Sequence, residues 1–89
     1  MGKINIVGLG PGDETLISQG ALDILKSSSR IYLRTEKHPT VDKLKDSITY
    51  TNLDYFYDNE ENFENVYREI AEFIIEKSYE SDLVYAVPG

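Results

Sequence analysis

A glycine-rich turn near the N-terminus is the feature that most constrains the fold of this chain. The residues Gly8-Leu9-Gly10-Pro11-Gly12-Asp13 directly follow an apolar, β-branched stretch at residues 4–7 and precede a helical pattern. A turn of this kind between a buried strand and a helix places backbone at the carboxyl edge of a sheet, where open α/β folds bind their ligands. The turn therefore predicts both a fold class and the position of a binding site.

Hydrophobic periodicity along the rest of the chain predicts alternating strands and helices. We expect strands at residues 4–7, 31–33, 48–53 and 83–87, helices at about 14–28, 40–46 and 62–79, and a loop at 54–61. Asp13 is predicted to cap the first helix. The alternation implies right-handed crossovers. The predicted fold class is therefore α/β, a three-layer domain with a mostly parallel sheet of four or five strands and helices on both faces.

Composition narrows the classes of function. The 89 residues suit one small domain, and 16 acidic against 9 basic residues give a formal charge of -7, which disfavours nucleic acid and anionic lipid as partners. The chain has no cysteine and one histidine, His38, which excludes disulfides, thiolate zinc sites and multi-histidine metal sites. No apolar run approaches the length of about 20 residues that spans a bilayer, and no signal peptide is evident. We expect a soluble, cytoplasmic protein without metal.

The glycine turn has several possible interpretations. Its first two glycines match the dinucleotide fingerprint G-x-G-x-x-G, and Glu36 could supply the acid that binds a ribose. Asp13, however, occupies the third glycine position, and Pro11 removes a backbone N–H, so pyrophosphate binding is disfavoured. The lysine of a P-loop is also absent. The turn therefore suits a neutral or cationic ligand, or it simply connects a strand to a helix.

The residues of the turn carry a family resemblance. Residues 4–13, followed by Leu16, Ile17, Ser18 and Ala21, look like the N-terminus of the tetrapyrrole (corrin and porphyrin) methylases, which use S-adenosylmethionine. Residues 31–33 resemble the second strand of that family, and residues 84–89 resemble its fourth strand and the turn after it. Within the family, residues 32–39 and 87–89 look most like the subgroup fused to a MazG-type nucleoside triphosphate pyrophosphohydrolase.

This resemblance implies a cofactor, a site and a domain organisation. It implies that S-adenosylmethionine binds in a cleft lined by two groups of residues: Gly10, Pro11 and Gly12, and Val87, Pro88 and Gly89. It also implies that residues 1–89 are the N-terminal α/β domain of a larger methyltransferase, so that the piece alone is inactive. The missing parts would be a second methylase domain and a MazG-type domain. The methyl acceptor and the catalytic residues stay unknown.

Other polar and aromatic residues have weaker functional interpretations. Asp13 and Glu36 are candidates for a general base, but a helix cap and a solvated loop acid are the preferred interpretations. Arg34 and Lys37 could meet an anionic substrate, and His38 is expected to be exposed to solvent. Aromatic residues of the third strand and the following loop could stack on a planar ligand, although core packing is preferred; they are Tyr50, Tyr55, Phe56 and Tyr57.

Two other functions compete with methyl transfer. One is a non-catalytic, ligand-sensing or dimerising module attached to a MazG-type hydrolase. The other is a nucleotide-binding oxidoreductase domain, which Pro11 and Asp13 disfavour. Because apolar surface that another domain would cover favours self-association, we also expect a homodimer.

Overall fold

The computed structural model describes residues 2–10, 18–58 and 62–88. In these residues strands and helices alternate in the order β1 (Ile4–Gly8), α1 (Gln19–Ser27), β2 (Ile31–Leu33), α2 (Pro39–Leu44), β3 (Tyr50–Asn52), α3 (Tyr55–Asp58), α4 (Phe63–Ser78) and β4 (Leu83–Val87). Across the described parts of the chain, no helix is both long enough and apolar enough to cross a membrane.

The four strands form one parallel sheet in the order β1-β4-β2-β3. The last strand of the chain therefore lies between the first two, with Gly8 of β1 opposite Val87 and Leu33 of β2 opposite Ala86. Because all the strands run in the same direction, the segments that follow them meet at one edge. We call this the carboxyl edge.

Helices cover both faces of the sheet, and β4 shows the division. Val84 and Ala86 belong to a core shared with α1 and α2, whereas Leu83 and the half-buried Tyr85 pack with α3 and α4 on the other face. This alternation is expected for a strand with two buried faces, since successive side chains point to opposite sides. The predicted α/β class with a parallel sheet is confirmed, with four strands.

Helix α1, the first in the described residues, begins at Gln19, whereas the pattern predicted a helix from about residue 14. Ser18 is the N-cap of α1, and its Oγ accepts a hydrogen bond of 3.1 Å from the N–H of Ala21. A serine hydroxyl is a strong alternative to a carboxylate at this position. Ser18 thus supplies the cap of α1, and Asp13, which was predicted to cap the helix after the turn, lies outside the described residues.

The segment after β3 is also more regular than predicted. Residues 55–58 form the one-turn helix α3 instead of an irregular loop, with turn bonds from Phe56 N–H to the Leu53 carbonyl and from Tyr57 N–H to the Asp54 carbonyl. Leu53 is fully buried, and the Phe56 ring lies edge-on to Phe73 of α4 at 5.4 Å. Packing against α4 thus orders a segment whose local sequence predicts no helix.

Candidate functional site

The described start of the glycine turn, residues 8–10, lies beside the end of β4 at the carboxyl edge. The N–H of Leu9 donates a hydrogen bond of 2.9 Å to the carbonyl of Val87, which extends the pairing of β1 with β4 by one residue. The Leu9 side chain is 1% exposed and anchors the turn in the core. The structure therefore brings Gly10 close to Val87 and Pro88, three of the six residues predicted to contact the cofactor. The other three, Pro11, Gly12 and Gly89, lie outside the described residues, and the assignment of all six stays a prediction.

Gly10 has a backbone conformation that requires glycine. Its φ is 79°, in the left-handed region that residues with a Cβ rarely adopt. The glycine at position 10 thus has a direct structural cause, which the sequence pattern alone left open.

The segments after β2 and β3 are joined by a network centred on Asp54. One carboxylate oxygen accepts a hydrogen bond of 2.5 Å from the Thr35 hydroxyl, and the other accepts one of 3.0 Å from the N–H of Glu36. Thr35 Oγ1 in turn accepts from the N–H of Lys37 at 3.1 Å. Sequence analysis did not identify Thr35 or Asp54 as site residues. A signal was nonetheless present, since each follows a predicted parallel strand and such positions converge at one edge.

A cavity of about 340 Å³ opens beside this network and reaches Pro88. Its volume is near the lower end of the range for small-molecule sites. The cavity walls carry charges of both signs, which suits a ligand that carries an anionic and a cationic group. The charged walls are Arg34, Lys37, Asp54 and Asp58.

The two cations of the cavity, Arg34 and Lys37, have no carboxylate partner in the described residues. The two ion pairs found there are both formed by Glu80, at the opposite end of the sheet. The Arg34 guanidinium lies 5.5 Å from the centre of the Tyr67 ring. It also lies near Tyr85, where burial raises the pKa of the phenol and the guanidinium partly offsets the increase. Burial also raises the pKa of Tyr57, and Arg34 again offsets part of this increase. Arg34 therefore lies close enough to three tyrosines to affect them, namely Tyr57, Tyr67 and Tyr85.

The aromatic residues considered for stacking do not share one surface. Tyr50 packs with the core on the α1 and α2 side, whereas Phe56 and Tyr57 pack with α4 on the opposite face. The Tyr50 hydroxyl donates a hydrogen bond of 3.0 Å to Glu36, and burial together with this carboxylate raises its pKa. Glu36 is thus a partner of Tyr50 as well as a member of the loop joined to Asp54.

His38 lies in a different environment from the one expected. Its side chain is partly buried at the N-cap of α2, where Nδ1 accepts a hydrogen bond of 3.1 Å from the N–H of Thr40. Its Nε2 lies 3.0 Å from the carbonyl oxygen of Gly10. The expectation of a solvent-exposed imidazole was wrong, because both ring nitrogens have backbone partners.

The sequence of the chain is similar to a known protein family. The family model for Tetrapyrrole (Corrin/Porphyrin) Methylases matches residues 3–89. The chain belongs to the tetrapyrrole methylase family. It is also 39% identical, over 89 residues, to the uncharacterized protein YabN of Bacillus subtilis (strain 168), a match that covers 99% of this chain and 18% of that protein. The chain thus spans less than a fifth of the length of this relative.

In this tetrapyrrole methylase domain, a larger cavity of about 470 Å³ lies at the edge opposite the glycine turn. Its arginine, Arg30, is engaged in holding the turn between α4 and β4. The guanidinium donates to the carbonyls of Ser81 at 2.8 Å and Lys77 at 3.1 Å, and pairs with Glu80 at 3.5 Å. Since ligands of open α/β folds bind at the carboxyl edge, the smaller cavity is the candidate site. No group of three or more potential metal ligands occurs among the residues that the structure describes.

Proposed function

We propose that this chain forms the cofactor-binding wall of an S-adenosylmethionine-dependent methyltransferase. Two observations support the proposal. The tetrapyrrole methylase family, whose model matches residues 3–89, generally comprises such enzymes. The turn at Gly10 lies beside Val87 and Pro88 at the carboxyl edge, and this juxtaposition carries the proposal.

The residues at this edge fit the chemistry of the proposed cofactor. Its amino acid portion carries an ammonium and a carboxylate, which the charges of both signs around the cavity complement. Its sulfonium is cationic, so an acidic domain does not repel it. The two groups of residues that would hold it are Gly10, Pro11 and Gly12, and Val87, Pro88 and Gly89.

The bound cofactor would supply an electrophilic methyl group for an in-line displacement. Such a transfer depends chiefly on aligning donor and acceptor, so this chain would contribute binding and orientation and need not supply a nucleophile. We assign no catalytic residue and no acceptor.

We further propose that residues 1–89 act within a longer protein that supplies a second methylase domain and a MazG-type pyrophosphohydrolase domain. The match to only 18% of the length of YabN supports a longer protein. Under this proposal the protein is cytoplasmic, and the 89 residues alone bind the cofactor poorly and transfer no methyl group.

Calorimetry with S-adenosylhomocysteine, the unreactive product, tests the proposal on the full-length protein. We expect the wild type to bind and Gly10→Val to lose at least about tenfold in affinity, because a β-branched side chain is strained at a φ of 79°. Gly20→Ala is the matched control. A Cβ at Gly20 contacts nothing within 4 Å, so this variant should bind like the wild type.

Two outcomes would contradict the proposal. Micromolar binding of S-adenosylhomocysteine by the isolated 89 residues would show that no second domain is needed. Stabilisation of the full-length protein by NAD, without any response to S-adenosylhomocysteine, would support an oxidoreductase instead.

A second candidate function is a non-catalytic dimerising module attached to the hydrolase, and the outer face of α4 favours it. Ile75 and Tyr79, four residues apart, are 47% and 64% exposed there, whereas the exposed Phe63 and Tyr67 lie toward Tyr57, with ring centres 6.2 and 6.4 Å from its ring. An apolar patch of this kind is typical of an interaction site. We propose that a second copy of the chain covers it.

Sedimentation of the full-length protein separates this candidate from the first. A dimer that Ile75→Glu converts to a monomer, and that Glu72→Gln on the same helix leaves intact, would support a dimerising role. Methyl transfer to any acceptor would exclude a purely non-catalytic module. An Ile75→Glu protein with unchanged mass would exclude this face as the interface.

A further inference from the structure

His38 connects two segments at the carboxyl edge that are distant in sequence. Its Nδ1 accepts from the N–H of Thr40 at 3.1 Å, and its Nε2 lies 3.0 Å from the carbonyl oxygen of Gly10. One ring therefore caps α2 and contacts the turn that follows β1.

The two contacts together assign the tautomer of the neutral ring. A nitrogen that accepts from an amide N–H carries no proton, so in the neutral imidazole the proton is on Nε2. Nε2–H therefore donates to the Gly10 carbonyl. Each ring nitrogen has a backbone partner of the complementary kind.

The bond to Gly10 matters because of the residue that follows it. Residue 11 is proline, so the peptide group that links it to Gly10 has no N–H, and the carbonyl is its only hydrogen-bonding group. Gly10 itself has a φ of 79°, and glycine has few intrinsic barriers that would hold it there. A hydrogen bond to the Gly10 carbonyl therefore helps to fix the orientation of this peptide plane.

We propose that His38 is a positioning residue for the glycine turn, and that its Nε2–H fixes the peptide plane after Gly10. This inference rests on the proposed binding of S-adenosylmethionine beside Gly10. His38 hydrogen-bonds to the Gly10 carbonyl before a ligand binds. Ligand binding therefore does not have to order this peptide group, and the affinity is higher.

Two substitutions at position 38 separate the two bonds. In His38→Asn the side-chain oxygen takes the place of Nδ1 and keeps the cap, because asparagine is a good N-cap residue, but the side chain is too short to reach Gly10. In His38→Gln the amide nitrogen takes the place of Nε2 and can donate to the Gly10 carbonyl, while the cap is lost. Each variant thus serves as the control for the other.

The experiment uses the full-length protein and two readouts. The first is the carbonyl carbon chemical shift of Gly10 in the ligand-free protein, which reports the hydrogen bond directly. The second is affinity for S-adenosylhomocysteine by calorimetry. We expect His38→Asn to change the Gly10 shift and to lose about tenfold in affinity, the upper range for one hydrogen bond. His38→Gln should retain the shift and bind within about threefold of the wild type.

The possible results have distinct meanings. If His38→Asn keeps the wild-type shift and affinity, or if His38→Gln keeps the shift but loses affinity as His38→Asn does, the positioning role is overturned. If the wild type does not bind S-adenosylhomocysteine but the shift still changes only in His38→Asn, the proposed cofactor fails while the control of Gly10 by His38 stands.

Discussion

Asp54, two residues after β3, accepts a hydrogen bond of 2.5 Å from the hydroxyl of Thr35, two residues after β2. Its second oxygen accepts from the N–H of Glu36 at 3.0 Å. One carboxylate therefore holds together two neighbouring segments of the carboxyl edge, and it does so in a wall of the candidate cavity.

Removing this carboxylate should destabilise the domain. In Asp54→Ala the Thr35 hydroxyl and the Glu36 N–H both lose their partner, and we expect a cost of about 1–3 kcal/mol in the free energy of unfolding. Urea denaturation measures it. Asp58→Ala is the matched control, because Asp58 lines the same cavity but is exposed. Equal costs for the two variants would contradict this role of Asp54.

A buried hydroxyl in α2 leads to the opposite expectation. Thr40 is fully buried, and its Oγ1 has no hydrogen-bond partner among the residues that the structure describes. Thr40→Val should therefore be neutral or stabilising, because it removes an unpaired polar atom at nearly constant shape. Thr35→Val, which loses the bond to Asp54, should cost about 1 kcal/mol. Thermal unfolding of both variants compares them, and a lower midpoint for Thr40→Val would show that its hydroxyl has a partner.

Two glycines should respond in opposite ways to alanine. A Cβ on Gly2 would collide with the backbone of Ser81, and the N–H of Gly2 donates to the Ser78 carbonyl at 2.6 Å. Gly2→Ala should therefore cost about 1–3 kcal/mol through overpacking against the turn before β4. Gly20→Ala, in α1 with open space around it, should stabilise the domain by up to about 1 kcal/mol. If both substitutions changed the free energy of unfolding in the same direction relative to the wild type, this account would be refuted.

Arg34 should influence stability at alkaline pH. Burial raises the pKa of Tyr85 above its ordinary value of 10.0, and Arg34 partly offsets the increase. The stabilising contribution of the neutral phenol is complete below pH 10.0 and is lost as pH rises through the folded-state pKa.

Replacing Arg34 by methionine should raise the pKa of Tyr85 further and enlarge this alkaline loss of stability. Absorbance titration of tyrosinate, taken as the difference from Tyr85→Phe in each background, measures the effect. Arg68→Met on the outer face of α4 is the control, since Arg68 contacts Asn65 of its own helix at 3.0 Å. A lower Tyr85 pKa in Arg34→Met would contradict the assignment.

The architecture could be predicted from the sequence because the pattern of buried side chains determines where the strands and helices lie. Strands with two buried faces, such as β4, and the amphipathic α4 have patterns that follow directly from which side chains are covered. The convergence of the glycine turn and the end of β4 also follows from a parallel sheet. Family resemblance added the proposed cofactor, which no pattern of charge or spacing supplies.

Apart from the start of α1, which the local Ser18 cap decides, the errors lie where a long-range contact replaces a local preference. The sequence predicts His38 to be an exposed loop residue, because it does not show that the Gly10 carbonyl oxygen, 28 positions earlier, lies 3.0 Å from Nε2. The helix at residues 55–58 depends on packing with α4, and Asp54 acquires its role from Thr35, 19 positions earlier. These pairings depend on how loops from different strands meet, which sequence periodicity does not encode.

The order of the strands also sets the order of events in biosynthesis. β1 is synthesised before the other three described strands, yet its neighbour in the described sheet is β4, whose residues 83–87 are synthesised after β2 and β3. Until then β1 has no strand to pair with, and Leu9 lacks the Val87 carbonyl that fixes the start of the glycine turn. Pairing of β1 in this sheet and the Leu9–Val87 hydrogen bond at the carboxyl edge therefore both require β4.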